Sequence, residues 1–309
     1  MEPSDNYIAS GTLDGDTAVV LLGGRQGSGF PSNRVWHARG SSDEFVSGTV
    51  TVVDKTLLHP RMGASVTWLP EGGAVVVGGT PSSDPNALVE VLSPSFTASA
   101  VTLSGDIDDY TPFGIHAAVL ARSNGTQHVL LLAGGAGLEQ ESDGALPEWL
   151  PPYKATTGRL YTLAVDTAAG TGMLQNLDAG IPSPARLRRV FAGLTSLGAN
   201  RYAWSGGYDQ LGKPGTLDAS CKGDTESGCY LDDVSILALS GDPGAFQLNT
   251  VVTAATLGEA RFGHAAAALV DGTVLLAGGL RAVSASSDVV SSAAEVFNPP
   301  LAAEDPCAQ

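Results

Sequence analysis

Carboxylates and aromatic rings gathered in three polar stretches are the residues with which this chain could bind or react. In the first, Asp106, Asp108 and Asp109 run into Tyr110; in the second, Glu139, Glu141, Asp143 and Glu148 lead to Trp149 and Tyr153. In the third, Asp209, Asp218, Asp224, Glu226, Asp232 and Asp233 surround Tyr208 and Tyr230. Carboxylate oxygens are the hard ligands that calcium takes, which makes Asp106, Asp108 and Asp109 a candidate calcium set, although the stretch is not an EF-hand loop and lacks its distal Glu. Trp149 and Tyr153, beside Pro147, Pro151 and Pro152, have the make-up of an aromatic platform for a sugar or a peptide. The binding candidates are therefore Asp106, Asp108, Asp109, Tyr110, Glu148, Trp149, Tyr153, Tyr208, Asp232 and Asp233. The plainer alternative is that the acids are solvated and that Trp149 caps a small core of its own loop.

Catalysis would need a metal cluster, an activated nucleophile or a carboxylate pair. The histidines His37, His59, His116, His128 and His264 contain no pair at metal-ligand spacing. His116 and His264 hold nearly equivalent places in their surroundings and read as structural. A glycosidase carboxylate pair is made in space and leaves no trace in sequence spacing. The balance favours a binding protein over an enzyme, and no resident cofactor other than calcium is implied.

Composition narrows the partners. The chain has 309 residues, a formal net charge of -16 and only 16 Lys and Arg. Phosphate backbones are bound by clustered Lys and Arg, so nucleic acid is excluded as a partner. A protein or a surface glycan remains. No run approaches the roughly 18 apolar residues of a membrane span. Cys221 and Cys229 flank the polar loop Lys-Gly-Asp-Thr-Glu-Ser-Gly, where a short disulfide would pin a loop without a core of its own. That pairing argues for an extracytoplasmic location with the signal removed, the alternative being cytoplasmic; Cys307 is left over.

The elements that position these residues come from a repeat. Arg61-Met-Gly-Ala-Ser-Val-Thr-Trp-Leu-Pro-Glu-Gly-Gly-Ala-Val-Val-Val-Gly-Gly79 returns as Arg261-Phe-Gly-His-Ala-Ala-Ala-Ala-Leu-Val-Asp-Gly-Thr-Val-Leu-Leu-Ala-Gly-Gly279. Each reads as a strand, an acid-Gly turn and a second strand ending in two glycines. Apolar runs ending in such a pair are Ala18 to Gly24, Ala74 to Gly79, Val129 to Gly135, Tyr202 to Gly207 and Thr273 to Gly279, spaced roughly 55 to 72 residues apart. The pairs Gly78-Gly79, Gly134-Gly135, Gly206-Gly207 and Gly278-Gly279 are expected where a Cβ would collide or φ must turn positive. Arg61, Arg186 and Arg261 recur at the start of first strands and are expected to bond carbonyls or acids of a neighbouring unit. Third strands are clearest in Leu88-Val-Glu-Val-Leu-Ser-Pro94 and Ala294-Glu-Val-Phe-Asn-Pro299. Outer strands are expected at 46–53, 96–103, 173–177 and 246–253. Residues 6–13 are either the first strand of the first unit or the outer strand of the last.

These motifs resemble bacterial kelch-repeat β-propellers, related to the galactose oxidase central domain. The resemblance implies an all-β propeller of four-stranded blades, five in number (alternatively six, one degenerate or truncated), forming a single domain over 1–309 with blades near 6–58, 61–103, 112–180, 186–256 and 261–309. In such blades the connections between second and third strands share a face with those between blades. The insertions 104–112, 136–157 and 208–233 therefore fall on one face, where loops on a rigid scaffold carry binding residues. The copper site of galactose oxidase needs His and Tyr ligands with a Cys cross-link, and no such set can be assigned here. The expected function is a non-catalytic extracytoplasmic protein- or glycan-binding scaffold; the alternative is a carbohydrate-active enzyme with a carboxylate pair in the central channel.

Overall fold

The computed structural model describes residues 9–12, 18–24, 32–40, 48–80, 84–107, 113–138, 153–154, 159–177, 189–209, 221–222, 229–284 and 287–300. They fall into two compact units. The first gathers Met1–Ala179, Ser183–Leu187 and Asp242–Phe246, and the second Gly180–Pro182, Arg188–Gly241 and Gln247–Gln309. The chain is all-β: among the described residues the helical structure is one 3-10 turn, Pro85–Ala87, and no helix is long and apolar enough to cross a membrane.

In the first unit, Ala9–Thr12, Ala18–Leu22, Ser32–Gly40 and Gly48–Arg61 form an antiparallel sheet in chain order. Ser65–Trp68, Ala74–Val77, Val89–Leu92 and Ala98–Ala100 form a second. A third contains Ala117–Asn124, Gln127–Gly134, Arg159–Asp166 and Thr171–Asn176, extended by Thr102–Gly105. In the second unit, Gly193–Gly198, Arg201–Ser205, Asp233–Ser240 and Gln247–Thr256 make a four-stranded sheet, and Ala265–Ala268, Val274–Ala277 and Ala294–Phe297 a three-stranded one. Small sheets join the strand-two exits: Phe113–Gly114 with Ala136–Leu138 and Tyr153–Lys154, Tyr208–Asp209 with Cys229–Leu231 and Cys221–Lys222, and Arg261–Phe262 with Leu280–Ser284 and Ser287–Val290.

The second strands Ala74–Val77, Gln127–Gly134 and Arg201–Ser205 are covered on both faces along most of their length and read as apolar runs, whereas Val274–Ala277 alternates buried and half-buried positions. All four residues of Ala74–Val77 are 0% exposed. The hairpins of Ala74–Val77 and Val274–Ala277 share one turn: Gly72 N donates to Leu69 O (3.0 Å) and Leu69 N to Gly73 O (3.1 Å), as Gly272 N donates to Leu269 O (3.0 Å) and Leu269 N to Thr273 O (2.8 Å). One core packs Leu69, Val77 and Leu88 of the second sheet against Leu130 and Leu163 of the third; in the second unit Ala203 and Ile236 pack with Val274 and Phe297.

Two expectations change. Residues 6–13 had two open places, and Ala9–Thr12 pairs with Ala18–Leu22, so it is the first strand of the first sheet and not the outer strand of the last. The expected outer strand 96–103 divides at Val101, which is 0% exposed: Ala98–Ala100 stays with the second sheet, while Thr102–Gly105 runs parallel to Thr171–Asn176 in the third. Burying Val101 in the core shared by both sheets carries the chain from one to the next.

Candidate functional site

The repeated arginines set the frame. Arg61 is 0% exposed; its Nη1 donates to Gly78 O (2.6 Å) and Leu88 O (3.1 Å), its Nη2 to Ala87 O (2.8 Å) and Glu90 Oε1 (2.7 Å), and its Nε to Glu90 Oε1 (3.0 Å). Arg261 Nη1 donates to Gly278 O (3.2 Å) and Ala293 O (3.0 Å), and its Nη2 to Glu295. Arg186 lies outside the described residues. Arg189 takes the same place in the fourth repeat: Nη1 donates to Gly206 O (3.2 Å), Nη2 to Asp233 Oδ2 (2.9 Å), and the guanidinium stands 4.2 Å over the Trp204 ring. Backbone bonds tie each corner to the preceding glycine pair, Gly24 N to Arg61 O and Gly207 N to Arg261 O, both 2.8 Å. The glycines of the pairs are needed where the chain approaches these corners: at Gly79 (φ 74°) a Cβ would stand 2.8 Å from Met62 O, and at Gly279 (φ 90°) 2.6 Å from Phe262 O.

Two residues past each corner arginine, and at the matching place in the third repeat, the backbone is left-handed: Gly63 (φ 71°), Ile115 (54°), Phe191 (53°) and Gly263 (63°). Ile115 N donates to Gly63 O (2.7 Å) and Gly263 N to Phe191 O (2.8 Å), joining corner to corner. Phe and β-branched Ile rarely adopt this conformation. Both are there because the corner bond fixes the backbone and the side chain gains burial.

The next residue carries the buried histidines. Ser65 Oγ lies 2.7 Å from His116 Nε2, and Ser205 Oγ 2.8 Å from His264 Nε2. The His264 ring fits where Gly193 and Gly206 bear no Cβ, and its own Cβ where Gly279 bears none. Burial pushes His116 down to about 3; burial, with the Arg261 charge adding to it, pushes His264 down to about 4. Both are neutral packing residues at pH 7.

The third acidic and aromatic stretch is drawn together beside the Arg189 corner. Tyr208 pairs with Tyr230, and Asp209 with Cys229, across adjacent strands. The Tyr208 ring meets Tyr230 edge-on at 5.5 Å and Phe262 at 5.7 Å; Tyr230 lies 5.3 Å from Phe262, and Phe191 5.8 Å from Phe262. Phe262 is 3% exposed and Tyr230 9%, whereas Tyr208 and Phe191 are half-buried. Asp209, Asp232 and Asp233 are 6%, 5% and 4% exposed. Asp233 Oδ2 accepts from both Arg189 and Ser235 Oγ (2.7 Å), so this carboxylate is an internal counter-ion. The half-buried rings provide what stacking on an apolar ring face needs. Sequence reading missed Arg189, Phe191 and Phe262; the interval from arginine to glycine pair was the available signal for the first.

The other sequence candidates are dispersed or undescribed. Asp106 is exposed and its Oδ2 accepts from Asn176 N at 2.8 Å. Tyr153 pairs with Leu138 through the backbone. Asp108, Asp109, Tyr110, Glu148 and Trp149 lie outside the described residues.

No family model matches the chain, and no curated protein matches it. Among solved structures, it is similar to one titled "Structure of YjhT", with a TM-score of 0.56 and 14% identity over 95% of this chain and 84% of that one. It is also similar to a novel fungal alcohol oxidase of the AA5 family in complex with copper, with a TM-score of 0.53 and 16% identity over 95% of this chain but 53% of that one. This chain thus spans about half the length of the oxidase. The described residues do not gather a site for that metal. Among the described residues no group of three or more His, Cys, Asp or Glu side chains could hold an ion, and His116, His128 and His264 each turn a ring nitrogen to a serine. What the likeness shows is the architecture: the chain has a β-rich fold of the galactose oxidase and kelch-like kind.

Proposed function

We propose that the chain is a non-catalytic, extracytoplasmic kelch-type propeller of five blades that binds a protein or surface glycan through its acidic, aromatic-containing face. The observation that carries the reading is the ring cluster of Phe191, Tyr208, Tyr230 and Phe262, with Tyr208 half-buried on a small sheet outside the core. Asp106, Asp108, Asp109, Tyr110, Glu148, Trp149 and Tyr153 stay in the proposal as candidates from the sequence, with calcium at the three aspartates. Asp232 and Asp233 are 5% and 4% exposed, so they take part as buried supports and not as exposed ligands.

The location is proposed from the Cys221–Cys229 disulfide expected in the sequence. Cys221–Lys222 pairs antiparallel with Cys229–Leu231, Cys221 standing opposite Leu231, and a disulfide joining these strands would persist in oxidising compartments.

A glycan array probed with the full chain and with Tyr208→Ala tests the function. A defined set of glycans retained by the wild type and lost by the variant is expected. Release of sugar from those glycans would overturn the reading in favour of a carbohydrate-active enzyme, and binding unchanged in Tyr208→Ala would remove the ring cluster from the site.

A further inference from the structure

The third sheet departs from the others at one end, and a cavity of about 220 Å3 lies there, within the first unit. The extra parallel strand Thr102–Gly105 lies beside Thr171–Asn176, and Asp242–Phe246 belongs to the same unit, which brings Pro243 to the cavity wall. In a repeat protein, a departure confined to one unit is where a specific surface can be added without disturbing the scaffold.

The walls are largely apolar. Val129, Val165, Met173 and Pro243 line it, and the Met173 methyl is accommodated because Gly244 bears no side chain: a Cβ there would stand 2.7 Å from it. The lining residues with polar side chains are Ser104, Gln127, His128, Asp166 and Thr171. His128 turns Nδ1 to Ser123 Oγ (3.0 Å), while its Nε2 faces Glu71 Oε1 at 2.6 Å. Ser104 Oγ donates to Gly172 O (3.1 Å). Asp166 is thus the lining residue with a full negative charge. Its Oδ1 accepts from Ala168 N and Ala169 N, both at 3.0 Å. The Ala169 N–H leads these bonds in holding the carboxyl below its usual range, so it stays ionised.

We propose that this cavity binds a small organic cation, an ammonium group on a short apolar body, with the charge toward Asp166 and the body against Met173, Val129 and Val165. Size and charge choose this class together. At about 220 Å3 the cavity is below the roughly 300 Å3 of ordinary ligand pockets, which points to a small ligand. The protein's formal net charge of -16 raises the local concentration of cations and repels anions. A polarizable thioether is a good neighbour for such a group.

The site is tested on the full chain with choline and with its uncharged carbon isostere 3,3-dimethylbutan-1-ol, followed by NMR of 13C-methyl-labelled methionine. The chain has three methionines, Met1, Met62 and Met173, so the signal is easily assigned. Choline is expected to shift the Met173 methyl and not that of Met62, which is 4% exposed and is not among the lining residues. Asp166→Asn, which keeps the turn-capping oxygen, is expected to weaken choline about fivefold, and the neutral isostere to bind the wild type about as weakly. A Met173 methyl that does not respond, or equal binding of choline and its isostere to the wild type, overturns the proposal without recourse to any variant.

Discussion

Arg189 Nη1 donates to the carbonyl of Gly206, a residue 17 positions downstream, and the same donor, acceptor and interval join Arg61 to Gly78 and Arg261 to Gly278. The interval sets the repeat register, and it places Arg189 in the fourth repeat. Arg189→Met is therefore expected to leave Asp233, 4% exposed, without its counter-ion and to cost about 3 to 5 kcal/mol, read as a loss in urea midpoint. Arg186→Met is the paired control. A large loss there with a neutral Arg189→Met would return the register to residue 186.

The acids that receive the arginines differ in environment, so they differ in consequence. Glu90 is 0% exposed and also accepts from Leu58 N (2.7 Å) and His59 N (3.0 Å); the Glu295 side chain is 26% exposed. Glu90→Gln is expected to cost about 3 kcal/mol and Glu295→Gln about 1 kcal/mol. Equal losses in chemical denaturation would contradict this ranking.

Glycines at the two kinds of left-handed position, corner and pair, are not equally replaceable. A Cβ at Gly263 meets nothing within 4 Å, whereas at Gly279 it stands 2.6 Å from Phe262 O. Gly263→Ala should cost about 1 to 2 kcal/mol, the left-handed strain alone, a strain that Ile115 and Phe191 already carry in their repeats. Gly279→Ala should exceed it, at about 3 kcal/mol or more, because backbone must move. Thermal melts of the two variants rank them directly.

Histidine burial makes stability depend on pH with a definite sign. The ordinary value is 6.5, and the folded values are about 3 for His116 and about 4 for His264. The unfolded chain therefore binds these protons first. Their stabilisation is complete above pH 6.5 and is lost as pH falls toward 4 for His264 and toward 3 for His116, on the order of 3 kcal/mol for His264 and about 5 kcal/mol for His116. The urea midpoint is expected to fall through that window, and less steeply in a His116→Gln, His264→Gln double variant. Parallel curves for the two proteins would refute the assignment.

The β-rich fold was legible because its strongest signals are local: an acid-Gly turn between apolar runs, and a glycine pair wherever a carbonyl approaches too closely for a Cβ. What was not legible depended on partners far along the chain. Arg189 looks unremarkable beside Arg186 and Arg188 until measured from its glycine pair. Asp233 reads as one more acid of a polar loop, and only the approach of Arg189 turns it inward. Phe191 sits in a run with no aromatic pattern, and its ring joins Tyr208 and Tyr230 through Phe262, drawn from a different repeat. The cavity beside Asp166 was invisible for the same reason: it needs a strand that changes sheets at Val101, which no periodicity announces.

That exchange of strands has a consequence for how the first unit opens. Ala98–Ala100 and Thr102–Gly105 are separated by the single residue Val101, yet they complete different sheets. Peeling either outer edge drags Val101 from its 0% exposed position and pulls on the ladder of the other. The amides of these two sheets should therefore lose protection against deuterium together, as one cooperative block rather than two, even though the repeat pattern presents them as separate modules.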